Sequence, residues 1–150
     1  MRGIPGSGKS TLVSKMALEA YETRKDDKYG IAICSADKFF MGPNGYDFKP
    51  NKLGEAHKEC LRDFIFAVQN KMSLIFVDNT NINIEDASPY IAIGEVYDYE
   101  VEVIQVNVSD VKIAADRNVH GVPYSKILEM YHRLTNIPIP HRWKFTFVNH

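Results

Sequence analysis

Three observations predict an α/β fold. Short β-rich runs alternate with longer stretches of helical period, the pattern of a sheet layered with helices. The opening residues spell a glycine-rich loop that leads at once into an amphipathic helix. The composition is that of one globular domain, with 150 residues, 45% of them apolar, and 18 Lys plus Arg against 19 Asp plus Glu. A chain of this length buries roughly two-thirds of the surface it exposes when unfolded, so it needs no disulfide framework. Residues 1–150 are therefore expected to form a single domain, with no internal repeat and no low-complexity tract.

The elements follow in order. Leu12, Val13, Met16, Ala17 and Ala20 recur at helical spacing, and the polar residues around Asp26 and Asp27 are expected to end that helix. Residues 31–35 read as a short buried strand. Gly42, Pro43, Asn44, Gly45 and Pro50 mark a turn-rich stretch. Leu53, His57, Cys60, Leu61, Phe64, Ile65 and Val68 then trace one face of a long helix, where His57 is expected to be a satisfied structural histidine. Residues 74–77 form a continuous apolar run, as in a strand covered on both faces, and end at Asp78. Proline suits the first turn of a helix, so Pro89 predicts a helix starting near Ser88. Residues 101–108 read as the next strand. Ser109 is the expected N-cap of a helix through Ala115 and Arg117, interrupted by a loop over 118–123. A further helix carries Ile127, Leu128, Tyr131 and Leu134, and a half-buried final strand alternates through Trp143, Phe145 and Phe147.

The first loop carries the chemistry. Gly3-Ile4-Pro5-Gly6-Ser7-Gly8-Lys9-Ser10 matches the Walker A pattern G-x-x-x-x-G-K-[ST] of P-loop NTPases. Glycines there let backbone N–H groups turn inward as a nest for phosphate oxygens, and the following helix adds its positive end. Lys9 would reach the β- and γ-phosphates of ATP, the Ser10 hydroxyl would ligate Mg²⁺, and Thr11 would lie near the α-phosphate. A glycine-rich turn that merely caps a helix is the plainer alternative. A phosphate loop is normally launched from an apolar strand, yet only Met1 and Arg2 precede Gly3, so that first strand is nearly absent. Either the sequence begins several residues late or the sheet carries a stub. The cost of unpaired backbone groups favours the former.

Asp37 and Asp78 each follow a predicted strand at its C-terminal end, where open α/β sheets place ligands. Phosphoryl transfer to a hydroxyl needs one carboxylate to accept the hydroxyl proton and another to hold the metal or its waters. Asp37 is expected as the base. Asp78 has the Walker-B-like position and is the expected Mg²⁺ ligand. Capping of the next element is the alternative for each.

Seven blocks occur in order: residues 2–11 around the loop, Cys34-Ser35-Ala36-Asp37-Lys38-Phe39-Phe40, Gly45-Tyr46-Asp47-Phe48, Ala56-His57, Val77-Asp78-Asn79-Thr80-Asn81, Pro89-Tyr90 and Arg117-Asn118-Val119-His120-Gly121-Val122-Pro123. Together they resemble the polynucleotide-kinase-like P-loop domains, including those of animal proteins that bind HECT-type ubiquitin ligases. The resemblance covers nearly the whole chain. It implies an adenylate-kinase-like parallel sheet flanked by helices, and ATP-dependent phosphorylation of a hydroxyl, with 5'-OH nucleic acid ends as the best-known acceptor. It also makes Arg117 the lid arginine of a lid at about residues 116–125, closing over the triphosphate and neutralising charge on the transferring group. Asp116 is its candidate ion-pair partner when the lid is open, with a plain surface ion pair as the alternative for both, and Arg133 is either a second lid charge or an exposed helix residue. The more distant phage polynucleotide kinase has an arginine three residues beyond its catalytic Asp that helps hold the acceptor strand. Phe40 stands there in this chain.

Around Asp37 lie Phe39, Phe40, Tyr46 and Phe48. They would either stack a flat acceptor, with Tyr46 best suited, or pack the loop. Asn79, Thr80 and Asn81 would either hydrogen-bond the acceptor or make the turn. His120 would shape the lid loop.

Charge and cysteines bound the rest. The net charge of -1 argues against a broad electrostatic grip on nucleic acid. It hides an asymmetry, because Lys112, Arg117, Lys126, Arg133, Arg142 and Lys144 outnumber Asp116 and Glu129 in the last quarter, which suits a phosphate-bearing partner. Cys34 and Cys60 lie far apart in sequence with no CxxC pattern, which points away from a zinc site or redox pair and toward a reduced, cytoplasmic protein. No signal peptide or membrane span is read. Three functions follow: a kinase of DNA or RNA 5'-OH ends, a kinase of a nucleoside, sugar nucleotide or other small metabolite, and a catalytically weak ATP-binding module acting through partners.

Overall fold

The computed structural model describes residues 1–23 and 30–150. Asp26 and Asp27, expected to end the first helix, lie outside the described residues. The elements run α1 (Lys9–Thr23), β1 (Ile31–Cys34), a 3-10 helix (Ala36–Phe40), β2 (Met41–Gly42), β3 (Gly45–Tyr46), a 3-10 turn (Pro50–Lys52), α2 (Leu53–Gln69), β4 (Leu74–Val77), α3 (Ile84–Val96), β5 (Glu102–Asn107), α4 (Val111–Arg117), α5 (Tyr124–Asn136) and β6 (Lys144–Asn149). Helices joining parallel strands make the fold α/β. Among the described residues no helix is long and apolar enough to cross a membrane. They divide into two compact units, a terminal unit of Met1–Lys9 and Thr80–His150 and a central unit of Ser10–Asn79.

In the central unit, β1 and β4 pair in parallel from Ile31 opposite Leu74 to Cys34 opposite Val77. The Asp78 N–H continues the ladder by donating to the Cys34 carbonyl at 2.8 Å. α2 buries Ala56, Cys60, Phe64, Ala67 and Val68. The expected stripe is therefore rotated. Leu53 is 41% exposed and His57 is exposed, because the buried row steps by three and four residues from Ala56. His57 is thus a surface residue and not a packed structural histidine. The turn-rich stretch contains a hairpin, with Met41 opposite Tyr46 and Gly42 opposite Gly45. Phe40 sits under it, 5% exposed, with its ring 5.3 Å from Phe39, 6.0 Å from Tyr46 and 5.0 Å from Phe48.

In the terminal unit, β5 and β6 pair in parallel from Glu102 opposite Lys144 to Asn107 opposite Asn149. Ile4, Ile82, Ala114, Ile127 and Leu134 form one apolar core, and Ala87, Ile91, Val103 and Trp143 a second. Trp143 precedes β6, and Phe147 is 51% exposed, so the expected alternation fails at its far end. The second core reaches Phe145 and no further.

Two helix starts differ from expectation. α3 begins at Ile84, because Asn83 and Asp86 form a capping box in which the Asn83 N–H donates to the Asp86 carboxylate at 2.9 Å. Pro89 therefore lies inside the helix and costs it an internal hydrogen bond. α4 is capped by Asp110, not Ser109. The Asp110 carboxylate accepts the Lys112 N–H at 2.8 Å, while the Ser109 N–H donates to the His150 carbonyl.

Candidate functional site

Arg2 replaces a launching strand with a single bridge to β5. Its N–H donates to the Ile104 carbonyl at 2.8 Å, and its carbonyl accepts the Val106 N–H at 2.8 Å. Gly3 follows, donating to the Thr80 carbonyl at 2.9 Å. The Arg2 side chain is 1% exposed and binds four groups: Nε donates to the Asn81 carbonyl, one terminal nitrogen to the Gln105 side-chain carbonyl, and the other to the Ile82 and Leu134 carbonyls. Burial holds its guanidinium below the usual arginine range, against an opposing pull from Asp86. Asn81, whose φ is 43°, closes the arrangement by donating from its side chain to the Met1 carbonyl at 2.9 Å. Sequence reading missed Arg2 as an anchor, because its partners lie 79 to 132 residues away.

The loop itself is built on close backbone approach. Gly6 has φ of 74°, and a Cβ there would lie 1.8 Å from the Ala114 carbonyl oxygen and 3.2 Å from the Asn118 nitrogen. A Cβ on Gly3 would lie 2.8 Å from the Val106 carbonyl oxygen. Pro5 is buried, and Gly8 faces the His150 ring. Lys9 is 7% exposed and its Nζ donates across the loop to the Ile4 carbonyl at 2.8 Å. The Ser7 hydroxyl is fully buried and, among the described residues, has no hydrogen-bond partner. An orphan buried hydroxyl in a glycine-rich loop suits a phosphate oxygen.

The approach of Gly6 to Ala114 and Asn118 packs the last turn of α4 on the phosphate loop. Arg117 is the last residue of that turn, exposed, and forms no ion pair with Asp116 among the described residues. Asn118 shapes the loop beyond it, donating to the Val122 carbonyl at 3.1 Å and accepting the His120 N–H at 3.2 Å. Arg133 is engaged elsewhere, donating to the Asn83 side-chain carbonyl at 2.6 Å.

Ser10 and Thr11 open α1 in the central unit, both exposed. Asp37 is exposed in the first turn of the 3-10 helix, three residues beyond β1, where the Ser35 hydroxyl caps that turn by accepting the Asp37 N–H. The Tyr46 hydroxyl donates to Asp37 Oδ1 at 2.9 Å. Burial, then this bond and the Asp37 charge, push the Tyr46 phenol above its ordinary range. Tyr46 and Phe48 lie parallel, with centroids 6.5 Å apart.

Asp78 is 9% exposed, and its Oδ1 is buried without a partner among the described residues. A bare buried carboxylate oxygen fits a cation or a water held by one. Asn79 is occupied internally. Its side-chain carbonyl accepts the Ala36 N–H at 2.9 Å, and its amide donates to Cys60 Sγ at 3.3 Å. Thr80 belongs to the terminal unit, where its carbonyl holds Gly3.

Comparison with known proteins agrees with this loop. A family model described as AAA domain matches residues 1–120. The chain is 34% identical over 145 residues to human NEDD4-binding protein 2, a match covering 93% of this chain and 8% of that protein. It is 29% identical over 106 residues to mouse 2',3'-cyclic-nucleotide 3'-phosphodiesterase, covering 70% of this chain and 22% of the relative. The chain thus spans only a small part of either relative's length. The family match spans the phosphate loop and the α4 helix packed on it, and the chain belongs to the AAA domain family of P-loop proteins.

Proposed function

We propose that the chain binds ATP with Mg²⁺ and transfers the γ-phosphoryl group to a hydroxyl, with the 5'-OH end of DNA or RNA as the acceptor. The observation that carries the reading is the packing of the α4 last turn on Gly6, which sets the Arg117 backbone beside the loop that would cradle the phosphates. In this reading the loop residues Gly3, Pro5, Gly6, Ser7, Gly8 and Lys9 hold the triphosphate with Ser10 and Thr11, and residues 116–125 act as lid. Lys9 exchanges the Ile4 carbonyl for phosphate oxygens. Ser10 and Asp78 hold Mg²⁺, which would neutralise phosphate charge. Asp37 takes the acceptor proton as the new O–P bond forms and ADP leaves, and Arg117 stabilises charge on the group in transit. Residues 1–150 are read as a single P-loop kinase-like domain. The mouse relative's name, that of a cyclic-nucleotide phosphodiesterase, supports a nucleotide end as the acceptor. The human relative's name, which describes NEDD4 binding, makes a protein partner a further proposal.

A small-molecule acceptor is the second reading, and one observation favours it. Phe40, where the phage enzyme carries a strand-holding arginine, is buried among aromatic rings and offers no charge to a polynucleotide. The test is to incubate the protein with γ-labelled ATP, Mg²⁺ and a panel of 5'-OH oligonucleotides, nucleosides and sugar nucleotides. Label on oligonucleotides that falls steeply with salt is expected. Label confined to small acceptors selects the second reading, and label on none defeats both. Asp37→Asn is expected to keep ATP binding and lose transfer, whereas Lys9→Ala weakens both.

A further inference from the structure

Asn118 sits where three pieces of the terminal unit meet: the last turn of α4, the loop over residues 118–122 and the phosphate loop. Its N–H donates to the Ala115 carbonyl at 3.2 Å and ends the helix. Its side chain closes the loop from both sides, the amide donating to the Val122 carbonyl at 3.1 Å and the side-chain carbonyl accepting the His120 N–H at 3.2 Å. Gly121, at φ 67°, turns the chain between those two bonds. The Asn118 backbone nitrogen also lies 3.2 Å from where a Gly6 Cβ would stand, beside the Ala114 carbonyl oxygen at 1.8 Å. Both ends of the loop run into one apolar core, in which Ala114 and Ile127 are buried with Ile4 of the phosphate loop and Ala115 and Val122 pack against them.

Arg117 directly precedes Asn118. It is exposed, and no hydrogen bond or ion pair holds its side chain among the described residues. Where its guanidinium can go is therefore set by its backbone, and that backbone is fixed on one side by α4 and on the other by Asn118. We propose that Asn118 is a positioning residue for Arg117: its side chain clasps the 118–122 loop, so that the arginine works beside the phosphate loop from a fixed place. This inference rests on the kinase reading, in which Arg117 stabilises charge on the phosphoryl group in transit, and deepens it. A long side chain on a wandering backbone spends less time in the stabilising geometry, which lowers turnover while the loop still binds ATP. A tie that is only structural would lower thermal stability and leave turnover of the folded protein alone.

Asn118→Ala removes both side-chain bonds and leaves the backbone contact with Gly6 in place. Assayed with γ-labelled ATP, Mg²⁺ and the acceptor that takes label, it should lower kcat by roughly tenfold, with the ATP Kd and the acceptor KM near the parent values. The double substitution is decisive, because Asn118 works through its neighbour. Arg117→Ala should lower kcat further than Asn118→Ala does, and adding Asn118→Ala to it should leave kcat where Arg117→Ala put it. Parent kcat in either single variant overturns the proposal, as does a weaker ATP Kd with kcat intact. So does a double variant that falls by the product of the two single effects, since Asn118 would then act independently of the arginine. Should Asn118→Ala not fold, Asn118→Asp carries the same cycle, because it keeps the acceptor for the His120 N–H and loses only the donor to Val122. A parent protein that phosphorylates no acceptor in the panel takes down the kinase reading and this inference together, whereas an active parent with an equally active Asn118→Ala takes down this inference alone.

Discussion

The terminal and central units hold their candidate residues by opposite means. In the terminal unit the phosphate loop is fastened by deeply buried polar groups: Arg2 at 1% exposure, Lys9 bonded back to Ile4, and backbone contacts too close for any side chain at Gly3 or Gly6. In the central unit Asp37 stands exposed on a 3-10 turn, steadied by a hydroxyl from a hairpin that rests on aromatic rings. In the proposed kinase reading, the difference matches what each unit would do. A phosphate nest works by pointing several N–H groups at one place before the ligand arrives, so rigidity there is favourable binding energy. In the proposed kinase reading, Asp37 as a base for hydroxyl acceptors would stay open to solvent.

Breaking the anchor of the terminal unit should have the largest effect. Arg2→Met removes a buried cation and strands the Gln105 side chain and the Asn81 and Ile82 carbonyls. A loss of about 3 kcal/mol is expected, since groups left unpaired in a buried network carry their full desolvation cost. Urea unfolding would measure it. The comparison is sharpened by ATP titration of the folded variant, which should bind more weakly because Gly3 follows Arg2 directly. ATP affinity equal to the parent would show that the loop does not depend on this anchor.

Next comes the loop contact with α4. Gly6→Ala places a methyl 1.8 Å from the Ala114 carbonyl in a backbone region that alanine avoids, so the loop or the last turn of α4 must shift. About 2 kcal/mol of stability should be lost, and ATP affinity should drop by at least about tenfold. Isothermal titration decides the matter, and an unchanged Kd would sever the loop from the Arg117 turn.

The aromatic support should respond differently. Phe40→Leu conserves apolar volume but loses three edge contacts with Phe39, Tyr46 and Phe48, for about 1 kcal/mol. Its signature is a change in acceptor turnover with ATP Kd unaltered. Loss of ATP binding in this variant would erase the distinction between the two supports.

How much of this was legible depends on the range of the interaction that decides each feature. The phosphate loop, the α2 helix and the β4 strand ending at Asp78 are written in contiguous residues, and the structure has each of them. The start of α3 is also written locally, as Asn83 with Asp86 three residues on, a signal that overrides the start expected from Pro89. Arg2 could not be read at all. A lone arginine before a glycine loop has no local mark of burial, and its partners are carbonyls brought in from Asn81, Ile82 and Leu134 by the fold. Asn79 shows the same limit within the candidate site. Its amide looked equally suited to a ligand or a turn, and only the folded chain brings Ala36 and Cys60 to its two ends.

The smallest effect tests how dry the central unit is behind its open edge. Cys34 ends β1, and burial first, then the neighbouring Cys60 and Asp63, push its thiol up to about 12, with Lys38 opposing. A thiol in an unfolded chain titrates at about 8.5. The folded value is therefore the raised one. The stability it contributes is fully present below the unfolded value, declines as pH rises past that value, and is lost through the folded value. The parent should thus weaken between about pH 8.5 and about 12 more steeply than Cys34→Ala, which has lost the titrating group. Chemical denaturation at a series of alkaline pH values compares the two slopes. Slow alkylation of Cys34 at neutral pH should accompany the result, since a buried thiol supplies little thiolate. Parallel slopes together with fast alkylation would mean that water reaches the end of β1, and the contrast between an open carboxylate edge and a dry strand beneath it would fail.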